Sequence, residues 1–345
     1  ASGTVTFEAG EIEKEVQVEI VDDTVSGEES EAFDLRVTNS DNSVYNEEAS
    51  GTCTIADNDD TGDGDPSLPK MQGSEFRVNS EISYNQEDPV VAAFSAGGFV
   101  TLWQSENQDG SGYGIYGQLY NSDGDVSGDE FRVNTYTANH QSAPDVAVLP
   151  TGGFAVVWQS LAQDGSGYGV FGRVYGPDGS ATGEEFQINT RTEYNQSSPS
   201  ITSLSGGGFV VTWHSAGQDG SGSGVYGRQY DSEAEVAGDE FLVNTTVENN
   251  QFESSVFSLA DGKYVAVWTS DSQDGSGKGV YGQIYMSDGS VSGGEFAVNT
   301  TTENDQKNCT GTGLADGGFI TVWASDGHDG GGYGVYAQRY DSSGA

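Results

Sequence analysis

The sequence predicts an all-β protein built from repeated four-stranded units. Every landmark of residues 75–340 recurs at an interval of 55 residues without an insertion. Helical periodicity is absent, whereas short apolar runs alternate with glycine-rich turns. A fixed repeat of this kind marks units that bury their apolar faces only against neighbouring units. The clearest landmarks are the five tryptophans, Trp103, Trp158, Trp213, Trp268 and Trp323.

Each unit divides into four predicted strands. In the second unit these are EFRVN at 130–134, PDVAVL at 144–149, GGFAVVW at 152–158 and YGVFGRVY at 168–175. The third run is nearly continuous in apolar residues, as in a strand buried on both faces. Units of four short strands that repeat several times are typical of β-propellers, because radial repetition leaves only short, protected sheet edges.

The repeat resembles the blades of sialidase-like and other bacterial lectin propellers. The resemblance lies in the P-x-V-A strand at 144–149, which would line the channel, the GGF-V-V-W strand, and Asp-box-like turns at 122–124 and 177–179. It covers about four fifths of the chain and weakens in the fourth unit, where SEAEVAG replaces the turn. The resemblance implies a blade order and does not imply a shared activity.

This blade order predicts a β-propeller over 75–345 that closes through a circular clasp. Residues 75–79 would be the outer strand of the last blade, whose other three strands come from 309–340. The two ends would then complete one blade, and the ring would have five blades. The alternative is that the chain is part of a longer array and the ring has more blades.

Residues 1–60 form a separate predicted module, joined to the propeller by a linker at 61–74. The runs GTVTFEAGEIEKEVQVEIVDD and EAFDLRV alternate as β-strands do. The segments GTVTFEAGE, IVDD and IADND resemble the second half of a Calx-β domain, an immunoglobulin-like sandwich. Because half a sandwich exposes an unpaired edge, we expect a neighbouring polypeptide or a preceding segment of a larger protein to complete it.

The Calx-β resemblance implies a calcium site at one tip of the sandwich. Compared with the family, Gly27 displaces the glutamate to Glu28, Asn58 interrupts the acidic run, and a ligand from the first half is missing. The alternative is a pair of acidic loops that bind no ion. The predicted ligands are Asp22, Asp23, Glu28, Asp57 and Asp59.

The composition restricts the partners. With 54 acidic and 12 basic residues the net charge is −42, which excludes nucleic acids and anionic membrane surfaces as natural partners. No apolar run reaches the length of a membrane span, so we expect no membrane insertion. Calcium and an extracellular location fit the acidic surface, although this charge could serve solubility in salt alone. Cys53 and Cys309 belong to different modules and are expected to be buried rather than paired.

A repeated polar set predicts carbohydrate binding. Each unit has an Asp in a QDGSG-like loop and a Gln before its inner strand, and three units add a Tyr. Carboxylates and amides bind sugar hydroxyls, and an aromatic ring covers an apolar sugar face. Alternatively, the Asp only forms turns and the Gln satisfies backbone groups. The predicted sugar-binding residues are Gln86, Asp109, Tyr113, Gln141, Asp164, Tyr168, Gln306, Asp329 and Tyr333.

The sequence does not predict catalysis. Among the predicted inner strands only Asp145 is ionisable, and His140, His214 and His328 show no metal-ligand spacing. We therefore expect a non-enzymatic part of a large extracellular bacterial adhesin, with a multivalent glycan-binding propeller and a calcium-binding Calx-β module. The alternative is a structural spacer, or a filament or surface-layer subunit, whose half sandwich another chain completes.

Overall fold

The computed structural model describes residues 31–37, 49–55, 74–342 and 344, which fall into two compact units, Ala1–Phe76 and Arg77–Ala345. In the first unit β1 (Glu31–Val37) pairs antiparallel with β2 (Ala49–Ile55), with Phe33 opposite Cys53. The remainder of the predicted Calx-β module and most of the predicted linker lie outside the described residues, so the half sandwich stays a prediction. No helix in the described part of the chain is long and apolar enough to span a membrane.

The second unit is a β-propeller of four-stranded antiparallel sheets, with a three-stranded sheet at its C-terminal end. The first sheet contains β3 (Gln86–Ala93), β4 (Phe99–Glu106), β5 (Tyr113–Tyr120) and β6 (Val126–Arg132). The second contains β7 (Gln141–Val148), β8 (Phe154–Leu161), β9 (Tyr168–Tyr175) and β10 (Phe186–Gln187). The third contains β11 (Gln196–Ser203), β12 (Phe209–Ala216), β13 (Ser223–Tyr230) and β14 (Phe241–Leu242). The fourth contains β15 (Gln251–Ser258), β16 (Tyr264–Asp271), β17 (Lys278–Tyr285) and β18 (Val291–Ala297), and the fifth contains β19 (Gln306–Gly313), β20 (Phe319–Asp326) and β21 (Tyr333–Tyr340).

The strand order within each sheet follows the predicted blade. The chain runs from an inner strand through two central strands to an outer strand, and successive strands are hydrogen-bonded neighbours. A tight turn joins the first two strands: Leu149 N donates to Gly153 O at 2.8 Å in the second sheet. A Cβ on Gly153 would lie 2.2 Å from Tyr175 O, so only glycine allows this approach of two strands.

The apolar core lies between successive sheets. Phe154 and Trp158 of β8 are fully buried, and the Phe154 ring stacks on Tyr175 with centroids 5.0 Å apart. Tyr175 Oη then donates to Val133 O at 3.0 Å, which connects β9 to the segment that follows the preceding sheet. Apolar burial and this hydrogen bond together hold neighbouring sheets against each other.

The first and last sheets expose positions that are buried elsewhere in the series. Val91 of β3 is 65% exposed, whereas its repeat equivalent Val146 is 9% exposed. Val335 of β21 is 83% exposed, whereas Val280 is fully buried. Residues 75–79 are not part of a strand in the described structure, so the circular clasp and the boundaries of the propeller stay predictions.

Candidate functional site at the channel mouth

A β-bulge near the start of every inner strand shapes the site. The pairing with the central strand shifts register there, as between Ser142 and Asp145 in the second sheet. One residue in each bulge adopts a left-handed backbone conformation, with φ between 50° and 55°. Bulges redirect side chains and interrupt the ladder, and they are enriched beside functional sites. The five residues, 55 positions apart, are Asp88, Ala143, Ser198, Glu253 and Asn308.

The bulges of the inner strands surround one cavity of about 500 Å³, which we call the channel mouth. Three carboxyl groups line it: Asp88 from the first sheet, Asp145 from the second and Glu253 from the fourth. The expectation that Asp145 is the single ionisable residue of the inner strands is therefore wrong. The strands begin earlier than predicted, at Gln86 and Gln251, so they include Asp88 and Glu253.

Asp145 is the least exposed of the three carboxyl groups. Its Oδ1 accepts a hydrogen bond from Val146 N at 2.8 Å, and its Oδ2 accepts one from Ile201 N at 2.9 Å. Burial raises the pKa of Asp145 to about 6, although these bonds and one with Ser200 favour the ionised form. A carboxyl group with this pKa can hold or release a proton near neutral pH.

Two other buried ionisable side chains, one of which lines the channel mouth, are uncharged at neutral pH. Burial lowers the pKa of His214 to about 4, so the ring is neutral, and its Nε2 lies 2.8 Å from Ser197 Oγ. Cys309 is a free, buried cysteine, and burial raises the pKa of its thiol to about 12. Neither residue is placed to act as a cationic group or as a thiolate nucleophile.

The predicted glutamines and aspartates are bonded within the protein. Gln141 is fully buried: its Nε2 donates to Ala138 O at 2.9 Å, and its Oε1 accepts from Asn134 Nδ2 at 3.1 Å. Gln86 and Gln306 make the matching bonds in their own repeats. Asp109, Asp164 and Asp329 each accept a bond from the backbone N–H two residues later, which closes the loop as a turn.

The predicted tyrosines differ from one another. Tyr113 and Tyr168 line a second cavity, at the junction of the first two sheets. The amides in this cavity belong to Gln104 and Gln159 rather than to the predicted glutamines. Tyr333, in contrast, has the Lys307 ammonium 4.4 Å from its ring centre. Of the predicted sugar-binding set, Tyr113 and Tyr168 thus line one cavity. Asp109 and Gln141 also meet, because Asn134 Nδ2 donates to both Asp109 Oδ2 and Gln141 Oε1.

The predicted calcium ligands Asp22, Asp23, Glu28, Asp57 and Asp59 lie outside the described residues. Within the described part of the chain, no group of three or more His, Cys, Asp or Glu side chains is arranged to hold a metal ion. Calcium binding, the extracellular location and completion of the first module by a neighbouring polypeptide stay predictions.

Comparison with solved structures shows the fold. A protein of unknown function from Dyadobacter fermentans has a TM-score of 0.53 at 10% identity, covering 75% of this chain and 80% of that one. An α-L-arabinanase from Penicillium chrysogenum, complexed with arabinobiose, has a TM-score of 0.50 at 13% identity, covering 74% and 81%. An α-L-arabinofuranosidase from Fusarium graminearum, in complex with an iminosugar inhibitor, has a TM-score of 0.50 at 11% identity, covering 75% and 81%. No protein-family model and no curated protein matches the chain.

These comparisons correct the functional expectation. The sequence predicts a non-catalytic adhesin or spacer, whereas two of the solved propellers of similar fold are glycoside-cleaving enzymes. The prediction failed because it excluded catalysis on the inner strands, where the bulges place two further carboxyl groups in the channel mouth.

Proposed function

We propose that the propeller is a glycoside hydrolase whose reaction takes place at the channel mouth. The observation that carries this proposal is the group of three carboxyl groups around one cavity, with the pKa of Asp145 raised by burial to about 6. Glycoside hydrolysis requires one carboxylic acid to protonate the leaving oxygen and one carboxylate to activate water or attack the sugar.

The environments of the three groups suggest their roles. Asp145 is the proton donor, because a pKa near 6 keeps part of it protonated at the pH where the reaction would run. Asp88 and Glu253 are exposed in the same cavity, and one of them is the base or nucleophile. Thr269 Oγ1 donates to Glu253 Oε2 at 3.4 Å, which orients that side chain.

Arabinose-containing glycans are the first substrates to test, because the arabinanase and the arabinofuranosidase share this fold. We expect the full chain to release sugar from arabinan or from an aryl arabinofuranoside. Asp145→Asn should lower kcat by about 10²-fold or more, since it removes the acid. Activity of the wild-type protein should fall as the pH rises above about 6, where Asp145 loses its proton.

A matched control separates catalysis from general charge effects. Asp123 is exposed in the turn between β5 and β6, away from the channel residues, so Asp123→Asn should leave kcat unchanged. Circular dichroism would verify that both variants fold. The proposal is wrong if the wild-type protein cleaves no glycan in a broad panel, or if Asp145→Asn, Asp88→Asn and Glu253→Gln all keep full activity.

A further inference from the structure

A second cavity of about 310 Å³ lies at the junction of the first two sheets, and we call it the junction cleft. Asp88 and Ala143 line both this cleft and the channel mouth, so the two cavities adjoin. A ligand with the shape of a chain can therefore occupy both at once. The volume is in the range of small-molecule pockets and is suited to a sugar unit.

The junction cleft presents aromatic rings. Tyr113 and Tyr168 occupy the same repeat position in consecutive units and both line the cleft. The His140 ring lies 5.7 Å from the Tyr113 ring, tilted by 40°, and so adds to the same surface. Aromatic rings of this kind pack against the apolar C–H faces of sugars, a contact that polar residues cannot replace.

The equivalent places at the later junctions are blocked or lack the ring. Ser223 stands at the tyrosine position of the third unit. Lys278 stands there in the fourth unit, with its ammonium 5.1 Å from the centre of the Phe252 ring. In the fifth unit the Lys307 ammonium covers Tyr333. The junction cleft is therefore unlike the positions related to it by the repeat.

Polar groups complete the junction cleft. Gln104 is buried, and its Oε1 accepts from Ala143 N at 3.1 Å, which fixes the amide plane beside the cavity. Gln159 donates from Nε2 to Ser142 Oγ at 3.0 Å and accepts from Ser198 N at 2.9 Å. In the described part of the chain the Gln104 Nε2 has no such partner, so it is the amide able to donate to a ligand hydroxyl.

The charges define the class of sugar. Neither the junction cleft nor the channel mouth has a Lys or an Arg among its lining residues, and together they contain three carboxyl groups. An anionic glycan would meet like charge without a compensating cation. Uncharged sugars meet no such penalty.

We infer that the junction cleft is a binding subsite for a neutral oligosaccharide, which extends outward from the channel mouth across Asp88 and rests on Tyr113 and Tyr168. This inference rests on the proposed hydrolase function, since it gives the channel mouth a polymeric substrate rather than a single sugar. It assigns substrate-positioning roles to both tyrosines and a hydroxyl-binding role to Gln104.

Calorimetric titration of the full chain carrying Asp145→Asn with linear arabino-oligosaccharides tests the inference without turnover. Adding Tyr113→Ala and Tyr168→Ala should weaken binding by about tenfold or more, because stacking on two rings is lost. Tyr113→Phe should bind as the parent does. Tyr333→Ala is the matched control and should have no effect, since Lys307 covers that ring. Acidic oligogalacturonides should bind more weakly than neutral chains.

The outcomes separate this inference from the proposed function. If the wild-type protein cleaves arabinan and the double tyrosine variant keeps the same KM, the subsite is wrong and the hydrolase proposal stands. If the tyrosines are needed for binding but no glycan is cleaved, the binding site stands and the hydrolase proposal is wrong. Equal losses for Tyr333→Ala and Tyr113→Ala would overturn the assignment of the junction cleft.

Discussion

The Asp145 carboxyl group contributes to the pH dependence of the stability of the fold. Burial raises its pKa from 3.8 to about 6, so the folded protein binds a proton that the unfolded chain releases. The stability that this proton contributes is fully present below about pH 4 and is lost as the pH rises through 6. We expect Asp145→Asn, which mimics the neutral form, to lose less unfolding free energy than the wild-type protein between pH 4 and pH 7. Urea denaturation at both pH values measures this, and equal losses would contradict it.

His214 has the opposite pH dependence. Its pKa falls from 6.5 to about 4 in the folded protein, so its contribution is present above pH 6.5 and is lost as the pH falls through 4. The first two repeats have Gln104 and Gln159 at this position, where each accepts a backbone N–H. His214→Gln should therefore reduce the acid sensitivity and preserve the fold.

The control for His214 is another histidine at a glutamine position. His328 is exposed, and the other units have Gln108 and its equivalents there. His328→Gln is the control for the change from an imidazole to an amide, and the two variants are compared by the loss of unfolding free energy between pH 6.5 and pH 4. The interpretation of His214 is wrong if both variants change this loss equally.

The sequence did not predict the residues of the channel mouth as a site. Asp145 is conspicuous as a carboxyl group within an apolar run, but from the sequence it entered only the argument against catalysis. Asp88 and Glu253 were missed because each precedes the apolar run by one bulge, and a strand pattern with period two does not reveal a register shift. The repeat equivalents are not acidic: they are Ala143, Ser198 and Asn308. This departure from the repeat is the feature of the sequence that distinguishes Asp88 and Glu253.

At the scale of a strand, the bulge carries backbone strain that a substitution can measure. Ala143 has a φ of 52°, a conformation that costs a residue with a Cβ about 1 kcal/mol. We expect Ala143→Gly to keep or raise the unfolding free energy. Ala147→Gly, in the buried part of the same strand, should lower it by about 1 kcal/mol. Thermal and urea denaturation compare the two, and a larger loss at Ala143 would show that the bulge is unstrained.

The sequence predicts the strands and their order. It does not decide whether the repeated polar residues bind a ligand or stabilise the fold. The FAVVW part of the GGFAVVW run begins β8, and its apolar residues are buried on both faces because sheets pack on either side. The glutamine before each inner strand could bind a sugar or satisfy backbone groups. In the structure its amide bonds with a backbone carbonyl and with an asparagine. A sequence shows that an amide is repeated, but not whether its partners are protein or ligand.

For the whole molecule, the five bulges line one cavity, and the residues at the bulges differ among otherwise similar units. The sheets repeat the same core, whereas two of the three carboxyl groups at the channel mouth, Asp88 and Glu253, are exposed and stand outside that core. The net charge of −42 acts in the same direction, since it disfavours anionic ligands throughout the surface.

The segment before the first sheet makes the same asparagine contact as the segments that follow the complete sheets. Asn79 Nδ2 donates to Gln86 Oε1 at 3.2 Å, as Asn134 Nδ2 does to Gln141 Oε1. In the complete sheets the equivalent asparagine also accepts a hydrogen bond from a backbone N–H of the third strand. In the fourth sheet, Val280 N donates to Asn299 Oδ1 at 2.6 Å. The fifth sheet has three described strands, and the equivalent amide on β21 belongs to Val335.

We predict that residues 75–79 supply the fourth strand of the fifth sheet, with Asn79 Oδ1 accepting from Val335 N. The Val335 amide should then be protected from hydrogen exchange in the full chain to a degree comparable with Val280. Deleting residues 75–79 should remove that protection, leave Val280 unchanged, and lower the melting temperature, because an open sheet edge with exposed apolar residues remains. If the Val335 amide exchanges as fast as an exposed loop amide in the intact protein, the ring is not clasped by this segment. Unchanged melting of the truncated chain would lead to the same conclusion.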